Sequence, residues 1–193
     1  MPIYTGTTKQ LGGTENITRK QEFYYGLIQK NVLVTGANGQ LGNELRELKK
    51  RTNNAFHFIY TDVDELDITS LPQVSDFIEH HSIKYIINCA AYTAVDRAET
   101  EPEKAFLINH TGVENLATTA KESGCHLIHI STDYVFDGKA TTPYTEETKP
   151  NPLSVYGKSK LKGEEAILKI QPDFVIIRTS WLYSEYGTNF VKT

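Results

Sequence analysis

Residues 31–42 read NVLVTGANGQLG, in which a short β-branched run passes through three glycines into a helical pattern. Gly36 permits a tight turn, Gly39 lets a pyrophosphate approach the backbone, and Gly42 lets helix and strand pack closely. The first helical turn then offers unpaired N–H groups and a partial positive charge to phosphates. An ordinary glycine-rich turn is the alternative, but the strand-to-helix context favours a dinucleotide site.

The rest of the chain repeats this alternation of strand and helix. Short β-branched runs are typical of buried parallel strands, and apolar residues three or four positions apart are typical of helices. Right-handed crossovers then cover both faces of the sheet with helices. The fold class is therefore α/β, a doubly wound parallel sheet of the NAD(P)-binding Rossmann type. The predicted strands are 31–36, 56–62, 84–90, 126–132 and 173–183, and the predicted helices are 40–51, 70–81, about 102–123 and about 153–170.

The pattern also predicts how the chain is divided. Residues 1–30 are polar, without a sustained period, and are expected to be a flexible extension. Residues 31–193 are expected to form the Rossmann domain. A sheet of this type binds its ligand at the carboxyl ends of its strands, and further sequence normally supplies a substrate cap. We therefore expect the C-terminal substrate domain to be mostly absent and the chain to be truncated.

Composition excludes several classes of function. The net charge is −4 with acids and bases interspersed, which argues against a nucleic-acid partner. No apolar run approaches the length of a membrane span, and the N-terminus lacks an apolar signal core, so we expect a cytoplasmic protein with no membrane partner. The two cysteines are expected to be free thiols. The six histidines do not form a ligand set, and we expect no structural metal.

Acidic residues after the second predicted strand are candidates for binding the adenosine half of a dinucleotide. Asp62 lies 23 residues after Gly39 and can accept hydrogen bonds from the ribose hydroxyls. Its charge would repel a 2′-phosphate, and no arginine follows at once, so NADH is favoured over NADPH. Asp67 and Ile68 could hold the adenine. A capping or solvated role for the aspartates is the alternative.

Tyr156 and Lys160 are spaced for one face of a helix. A lysine ammonium beside a tyrosine favours the phenolate and lowers the pKa of the phenol, which suits a proton donor working near neutral pH. A solvated helix face is the alternative. The spacing alone is a weak signal, because tyrosine and lysine are both frequent in this chain.

Six segments in order carry a more specific signal: GANGQLG (36–42), NCAAYTAVDRAE (88–99), INHTGVENLA (108–117), ISTDYVFDG (130–138), PLSVYGKSKLKGE (152–164) and RTSWLY (178–183). With them, residues 31–193 resemble the dTDP-4-dehydrorhamnose reductases, a branch of the extended short-chain dehydrogenase/reductases. The resemblance implies reduction of the C4 ketone of dTDP-4-dehydro-L-rhamnose by NADH or NADPH to give dTDP-L-rhamnose. It leaves a homodimer as a possible assembly, and residues 1–30 have no counterpart in it.

The resemblance also implies roles for particular residues. Tyr156 and Lys160 are the implied catalytic pair, with the Thr132 hydroxyl beside the same carbonyl oxygen. Asp133 and Trp181 are implied to contact the sugar, although Asp133 could instead cap a loop and Trp181 could be a core or strand-end aromatic. The implied cofactor contacts are Gly36, Gly39, Gln40, Leu41, Gly42, Asp62, Asp67, Ile68, Ala91, Tyr92 and Thr93, together with Tyr156 and Lys160.

Two other functions stay open at this point. One is a nucleotide-sugar epimerase or dehydratase of the same extended family, which would recycle a tightly held cofactor. The other is a dinucleotide-binding regulatory protein like the regulatory subunit of methionine adenosyltransferase, which works as a partner. The segment ISTDYVFDG favours the reductase.

Overall fold

Five parallel strands form one sheet in the order β2-β1-β3-β4-β5. The computed structural model describes residues 30–52, 56–170, 173–187, 189 and 191–192, so the predicted extension lies outside it except for Lys30. The α/β prediction is confirmed. The strands are β1 (Lys30–Thr35), β2 (Phe56–Tyr60), β3 (Ile83–Asn88), β4 (His126–Thr132) and β5 (Phe174–Thr179).

Helices connect the strands at or near the predicted positions. Gly124 ends the helix before β4 with a φ of 65°, the left-handed conformation that glycine adopts readily. No helix of the described ranges is long and apolar enough to cross a membrane. The helices are α1 (Gln40–Arg51), α2 (Leu71–His80), α3 (Val95–Ala98), α4 (Pro102–Phe106), α5 (Val113–Ser123) and α6 (Val155–Ile170), with a π-helical turn at Leu107–Gly112 and a 3₁₀ turn at Asp133–Val135.

The core lies on both faces of the sheet, because successive strand residues point to opposite sides. On one face Leu33 joins apolar residues of α2, α5 and α6, whereas on the other Val32 and Val34 pack with Leu45 of α1. The sheet is thus doubly wound around β1. At the far edge, Val175 and Ile177 of β5 are 53% and 44% exposed.

The chain places β2 on one side of β1 and β3 on the other, so the direction of winding reverses between β1 and β3. In open α/β sheets this switch point opens a crevice at the carboxyl ends of the two strands, where ligands bind. Gly36 follows β1 and Ala90 follows β3, so the glycine loop borders this crevice. The fold therefore places the predicted dinucleotide loop at the ligand-binding edge.

Three local features differ from the sequence prediction. The single helix predicted over 102–123 is interrupted by the π-helical turn, in which Asn109 bonds to a distant loop. The last strand ends at Thr179 instead of 183, because Trp181 has a φ of 54° and cannot continue a strand. The short helix α3 was not predicted, since four residues are too few to show a period.

Candidate active site

The glycine loop has the crowding that its sequence predicts. Gly36 has a φ of 62°, and a Cβ added there would lie 2.5 Å from the Cα of Ala90. A Cβ at Gly42 would lie 2.4 Å from the Cα of Ala37. Both distances are shorter than a real side chain tolerates, so only glycine at 36 allows the turn to pack against the segment after β3, and only glycine at 42 allows α1 to pack against the loop.

Gly39 has a different environment, which leaves room for a ligand. Of the atoms in the described part of the chain, a Cβ there would meet only the Gly36 carbonyl oxygen, at 3.2 Å. Gly39 is the N-cap of α1, and among the described residues no side chain makes a capping hydrogen bond there. The first turn of α1 contains no acidic residue. The N–H groups of Gln40 and Leu41, at the first turn, can therefore serve phosphate oxygens.

Asp62 lies at the carboxyl end of β2, beside this loop. Its Oδ2 accepts from the Asn38 backbone N–H at 3.0 Å, and its Oδ1 accepts from the Val63 N–H at 2.9 Å. The side chain of Asn38 also bonds to a cation: the Arg46 guanidinium donates to its Oδ1 at 3.2 Å. Arg46 also lies over the ring of Tyr60, 5.0 Å from its centroid. Arg46 and Asp62 thus share Asn38 as a hydrogen-bond partner, although no arginine directly follows Asp62 in the sequence.

Asp67 and Ile68 form a tight turn after β2. The Asp67 Oδ1 accepts from the backbone N–H and the hydroxyl of Thr69, at 2.9 and 2.7 Å. Ile68 is buried, and a Cβ at Gly112 would lie 2.7 Å from its Cδ1. The capping alternative accounts for the Asp67 contacts, and Ile68 packs into the core.

The segment after β3 is held by one side chain from the π-helical turn. The buried Asn109 accepts from the Tyr92 N–H at 2.9 Å and donates to the Tyr92 carbonyl at 3.0 Å. Its amide also donates to the Ser159 hydroxyl on α6, at 3.0 Å. Asn109 therefore ties the predicted cofactor border, which runs from Ala91 to the exposed Thr93, to the helix of the predicted catalytic pair.

Thr132 and Tyr156 come together at the carboxyl end of β4. The Thr132 side chain donates to the Asp133 Oδ1 and accepts from the Tyr134 N–H, both at 3.2 Å. Tyr156 packs edge-to-face on Tyr134, with ring centroids 5.6 Å apart. Burial raises the pKa of Tyr156, the Thr132 hydroxyl beside it acts in the opposite direction, and Asp133 and Tyr134 raise it further.

Lys160 has an orientation that the sequence did not predict. It is only 2% exposed, and its amine donates to the Ile130 carbonyl at 2.7 Å and lies 3.4 Å from the His129 Nε2. Burial lowers the pKa of Lys160 to about 8, against the opposing fields of Glu164 and Cys89. The predicted lowering of the Tyr156 pKa by this lysine is wrong for this arrangement, because the amine is directed into the core.

Trp181 lies just past β5, at the same edge of the sheet. It is 66% exposed and stacks on Tyr183, with ring centroids 6.2 Å apart. The alternative that placed this tryptophan in the core is wrong, whereas the strand-end alternative fits its position. Its exposure leaves a large aromatic face at the edge where the glycine loop and Thr132 also lie.

A family model described as the RmlD substrate binding domain matches residues 30–193. The chain belongs to this family. It is 46% identical over 162 residues to the dTDP-4-dehydrorhamnose reductase of Aggregatibacter actinomycetemcomitans. This alignment covers 84% of the chain and 55% of that protein. The chain thus spans about half the length of the curated relatives that it matches.

Solved structures of similar proteins agree with this assignment. The dTDP-4-dehydrorhamnose reductase of Clostridium acetobutylicum is 47% identical with a TM-score of 0.80, over 84% of this chain and 57% of that one. The enzyme of Bacillus anthracis, solved with NADP, is 42% identical with a TM-score of 0.81, over 85% of this chain and 58% of that one. The match therefore covers the described sheet and its helices.

Sequence reasoning missed several polar residues beneath this RmlD-family site. Asn88 and His129 lie in strands, and Asn109 and Glu164 lie on helices, all at most 1% exposed. The Glu164 carboxylate accepts from the Ser131 hydroxyl at 2.5 Å and from the Arg178 guanidinium at 2.6 Å. The available signal was a polar residue inside an apolar run, as in KYIINCA and HLIHIST, since such a residue needs a buried partner.

Proposed function

We propose that this chain carries the cofactor site and the proton donor of a reductase that converts dTDP-4-dehydro-L-rhamnose to dTDP-L-rhamnose. The observation that carries the proposal is the meeting of Thr132 and Tyr156 at the carboxyl end of β4, on the same edge of the sheet as the glycine loop. The family supports the reaction class, because its members include reductases of this sugar nucleotide.

The described residues fit a nicotinamide dinucleotide. The uncapped first turn of α1 and the open side of Gly39 suit a pyrophosphate, whereas a side chain at either position would compete with it. Asp62 and the loop from Ala91 to Thr93 border the same crevice and would contact the adenosine ribose and the nicotinamide half. Asp67 would bind the adenine through Oδ2, since Thr69 already donates twice to Oδ1.

The choice between the two cofactors follows from two charges in this crevice. Asp62 favours the free ribose hydroxyls of NADH. Arg46, which bonds to the same asparagine as Asp62, adds a positive charge that can balance the negative charge of a 2′-phosphate. We therefore propose that NADH is preferred and that NADPH is also accepted. The Bacillus anthracis relative with NADP bound is compatible with such a site.

Proton transfer is the part of the reaction that this chain's own residues perform. The bound cofactor supplies the hydride that reaches C4 of the sugar. Tyr156 gives its phenolic proton to the oxygen on C4, and the Thr132 hydroxyl donates a hydrogen bond to that oxygen as negative charge develops. Lys160 contributes a cation to Tyr156 and the ribose once its amine turns away from the Ile130 carbonyl.

Sugar binding and assembly belong to the same proposal. Asp133 and the exposed Trp181 would contact the sugar nucleotide from the edge where Thr132 lies. A cytoplasmic location suits both the supply of reduced nicotinamide and the reduced state of Cys89 and Cys125. A homodimer stays a prediction.

The direct test is to mix the chain with NADH and dTDP-4-dehydro-L-rhamnose and to follow nicotinamide absorbance and the sugar product together. The reductase predicts one NADH oxidised for each dTDP-L-rhamnose formed. Replacing Tyr156 by Phe should lower turnover about 10²- to 10⁴-fold, as expected when a general acid is lost. Tyr85→Phe is the matched control, because Tyr85 lies near the amino end of the sheet and its hydroxyl accepts from Lys30.

The two alternatives give different results in this assay. An epimerase or dehydratase would convert the sugar without net oxidation of NADH. A regulatory protein would bind NADH without turnover and would be retained on immobilised methionine adenosyltransferase. Either result, or full activity of the Tyr156→Phe variant, would overturn the proposal.

A further inference from the structure

A chain of buried polar side chains runs beneath the candidate site and ends at the catalytic lysine. The Thr35 hydroxyl donates to the Asn88 Oδ1 at 2.7 Å, the Asn88 Nδ2 lies 3.0 Å from the His129 Nδ1, and the His129 Nε2 lies 3.4 Å from the Lys160 amine. All four residues are at most 2% exposed. The proposed reaction uses only the lysine, which leaves the histidine without an assigned role.

The orientation of the Asn88 amide decides which histidine nitrogen carries a proton. The Ala90 backbone N–H can only donate, and it lies 3.1 Å from the Asn88 Oδ1, so the amide oxygen faces Ala90. The amide NH₂ must then face His129, and it donates to Nδ1. Because Nδ1 accepts that bond, it carries no proton, and the ring is the neutral Nε2–H tautomer.

This tautomer presents a donor to Lys160. An ammonium has three donors and no acceptor, so it cannot bond to an N–H. An uncharged amine keeps a lone pair, which accepts from the His129 Nε2–H while the amine still donates to the Ile130 carbonyl. The contact between these two nitrogens is therefore a hydrogen bond only when the lysine is neutral.

We propose that His129 is a positioning residue for Lys160: fixed by Asn88 in its Nε2–H tautomer, it holds the lysine amine in this core position only while that amine is uncharged. Protonation from solvent removes the acceptor and releases the amine from His129. The released ammonium is then free to reach Tyr156 and the cofactor ribose. The part about Tyr156 and the ribose rests on the proposed function, whereas the tautomer and the lysine titration do not.

The other titratable groups around Lys160 either raise its pKa or stay neutral while it titrates. Glu164, one turn further along α6, and Cys89, after β3, both favour the ammonium, but the Glu164 carboxylate already binds Ser131 and Arg178. Burial outweighs both and brings the pKa of the lysine to about 8. Burial also holds the pKa of His129 well below its usual range, so the histidine stays neutral while the lysine titrates.

The test uses NMR on the whole chain to measure the tautomer of His129 and the titration of the Lys160 amine. Long-range ¹H–¹⁵N spectra of the imidazoles should show His129 as the Nε2–H tautomer from about pH 6 to pH 9. Titration of ¹³C-labelled lysines, with Lys160 assigned from Lys160→Arg, should show it titrating well below the other lysines. His129→Gln can turn an amide oxygen to the ammonium and should raise the lysine's pKa by about one unit or more.

The matched control is His126→Gln, at the exposed end of the same strand, where the ring pairs with Asp173 at 2.8 Å. This variant should leave the Lys160 titration unchanged. An Nδ1–H tautomer or an imidazolium at His129 in the wild-type chain would overturn the proposal, and that spectrum needs no variant to fold. An unchanged Lys160 titration in a folded His129→Gln variant would overturn it as well.

Neither NMR reading depends on turnover, so the two proposals fail separately. A chain without reductase activity that shows the Nε2–H tautomer and the responsive lysine would retain this inference and lose the proposed function. An active reductase with the other tautomer would do the reverse.

Discussion

Replacing Lys160 by Met should stabilise the fold at neutral pH while abolishing catalysis. The pKa of Lys160 falls from its ordinary 10.5 to about 8 because the amine is buried. That difference of about 2.5 pH units corresponds to about 3 kcal/mol of destabilisation when the lysine is charged. Methionine removes this cost and gives up at most the hydrogen bond to Ile130, which is worth about 1 kcal/mol, so the net gain at pH 7 should be at least about 2 kcal/mol.

The pH dependence of this gain follows from the direction of the pKa change. A lysine whose pKa is lower in the folded protein binds fewer protons there than in the unfolded chain. Wild-type stability from this group therefore rises with pH between about 8 and 10.5, and the cost is fully present below about pH 8. The advantage of methionine should be largest at pH 7 and should disappear by about pH 10.

Urea unfolding followed by circular dichroism at pH 7 and pH 10 measures both quantities. The matched control is Lys162→Met, because Lys162 is exposed on the same helix and pairs with Glu165. That variant should change the free energy of unfolding by less than about 0.5 kcal/mol at both values of pH. A Lys160→Met variant that is less stable than wild type at pH 7, or whose gain does not shrink at pH 10, would refute the reasoning.

Three further changes test the site. Gly36→Ala should abolish NADH binding and cost at least about 3 kcal/mol in urea unfolding. Gly124→Ala, with a similar positive φ but open space, should cost about 1 kcal/mol, and equal costs would contradict the close approach of Gly36 to Ala90. Asn109→Ala removes three buried hydrogen bonds and should lower the free energy of unfolding by about 3 kcal/mol in the same measurement. A loss below about 1 kcal/mol would count against a stabilising role for the Asn109 bonds to Tyr92 and Ser159. Arg46→Ala should weaken NADPH binding about tenfold and leave NADH within about twofold in fluorescence titrations; equal losses would exclude a role at the 2′-phosphate.

The sequence predicted the structural features that depend on short-range patterns of residues. The glycine loop was predictable because its three glycines stand at a fixed spacing between a strand and a helix, and the close contact of Gly42 is with Ala37, five residues away. The parallel sheet followed from the alternation of β-branched runs with helical stripes. Both kinds of signal repeat at short range, so one sequence is enough to read them.

The features that it missed depend on partners far along the chain. Asn109 interrupts a helix because its amide serves Tyr92 and Ser159, and neither partner is its sequence neighbour. Lys160 points into the core because Ile130 and His129 offer it contacts from β4. Spacing placed the tyrosine and lysine on one helix face, but it could not fix the direction of a long side chain.

The most direct test of the central claim is to follow deuterium from NADH labelled at the nicotinamide C4 into the sugar. With dTDP-4-dehydro-L-rhamnose as substrate, the account predicts that deuterium appears at C4 of a dTDP-L-rhamnose product, in the wild type and Tyr85→Phe, and far more slowly in Tyr156→Phe. Label found at any other sugar carbon, or label transfer by Tyr156→Phe as fast as by the wild type, would contradict the account.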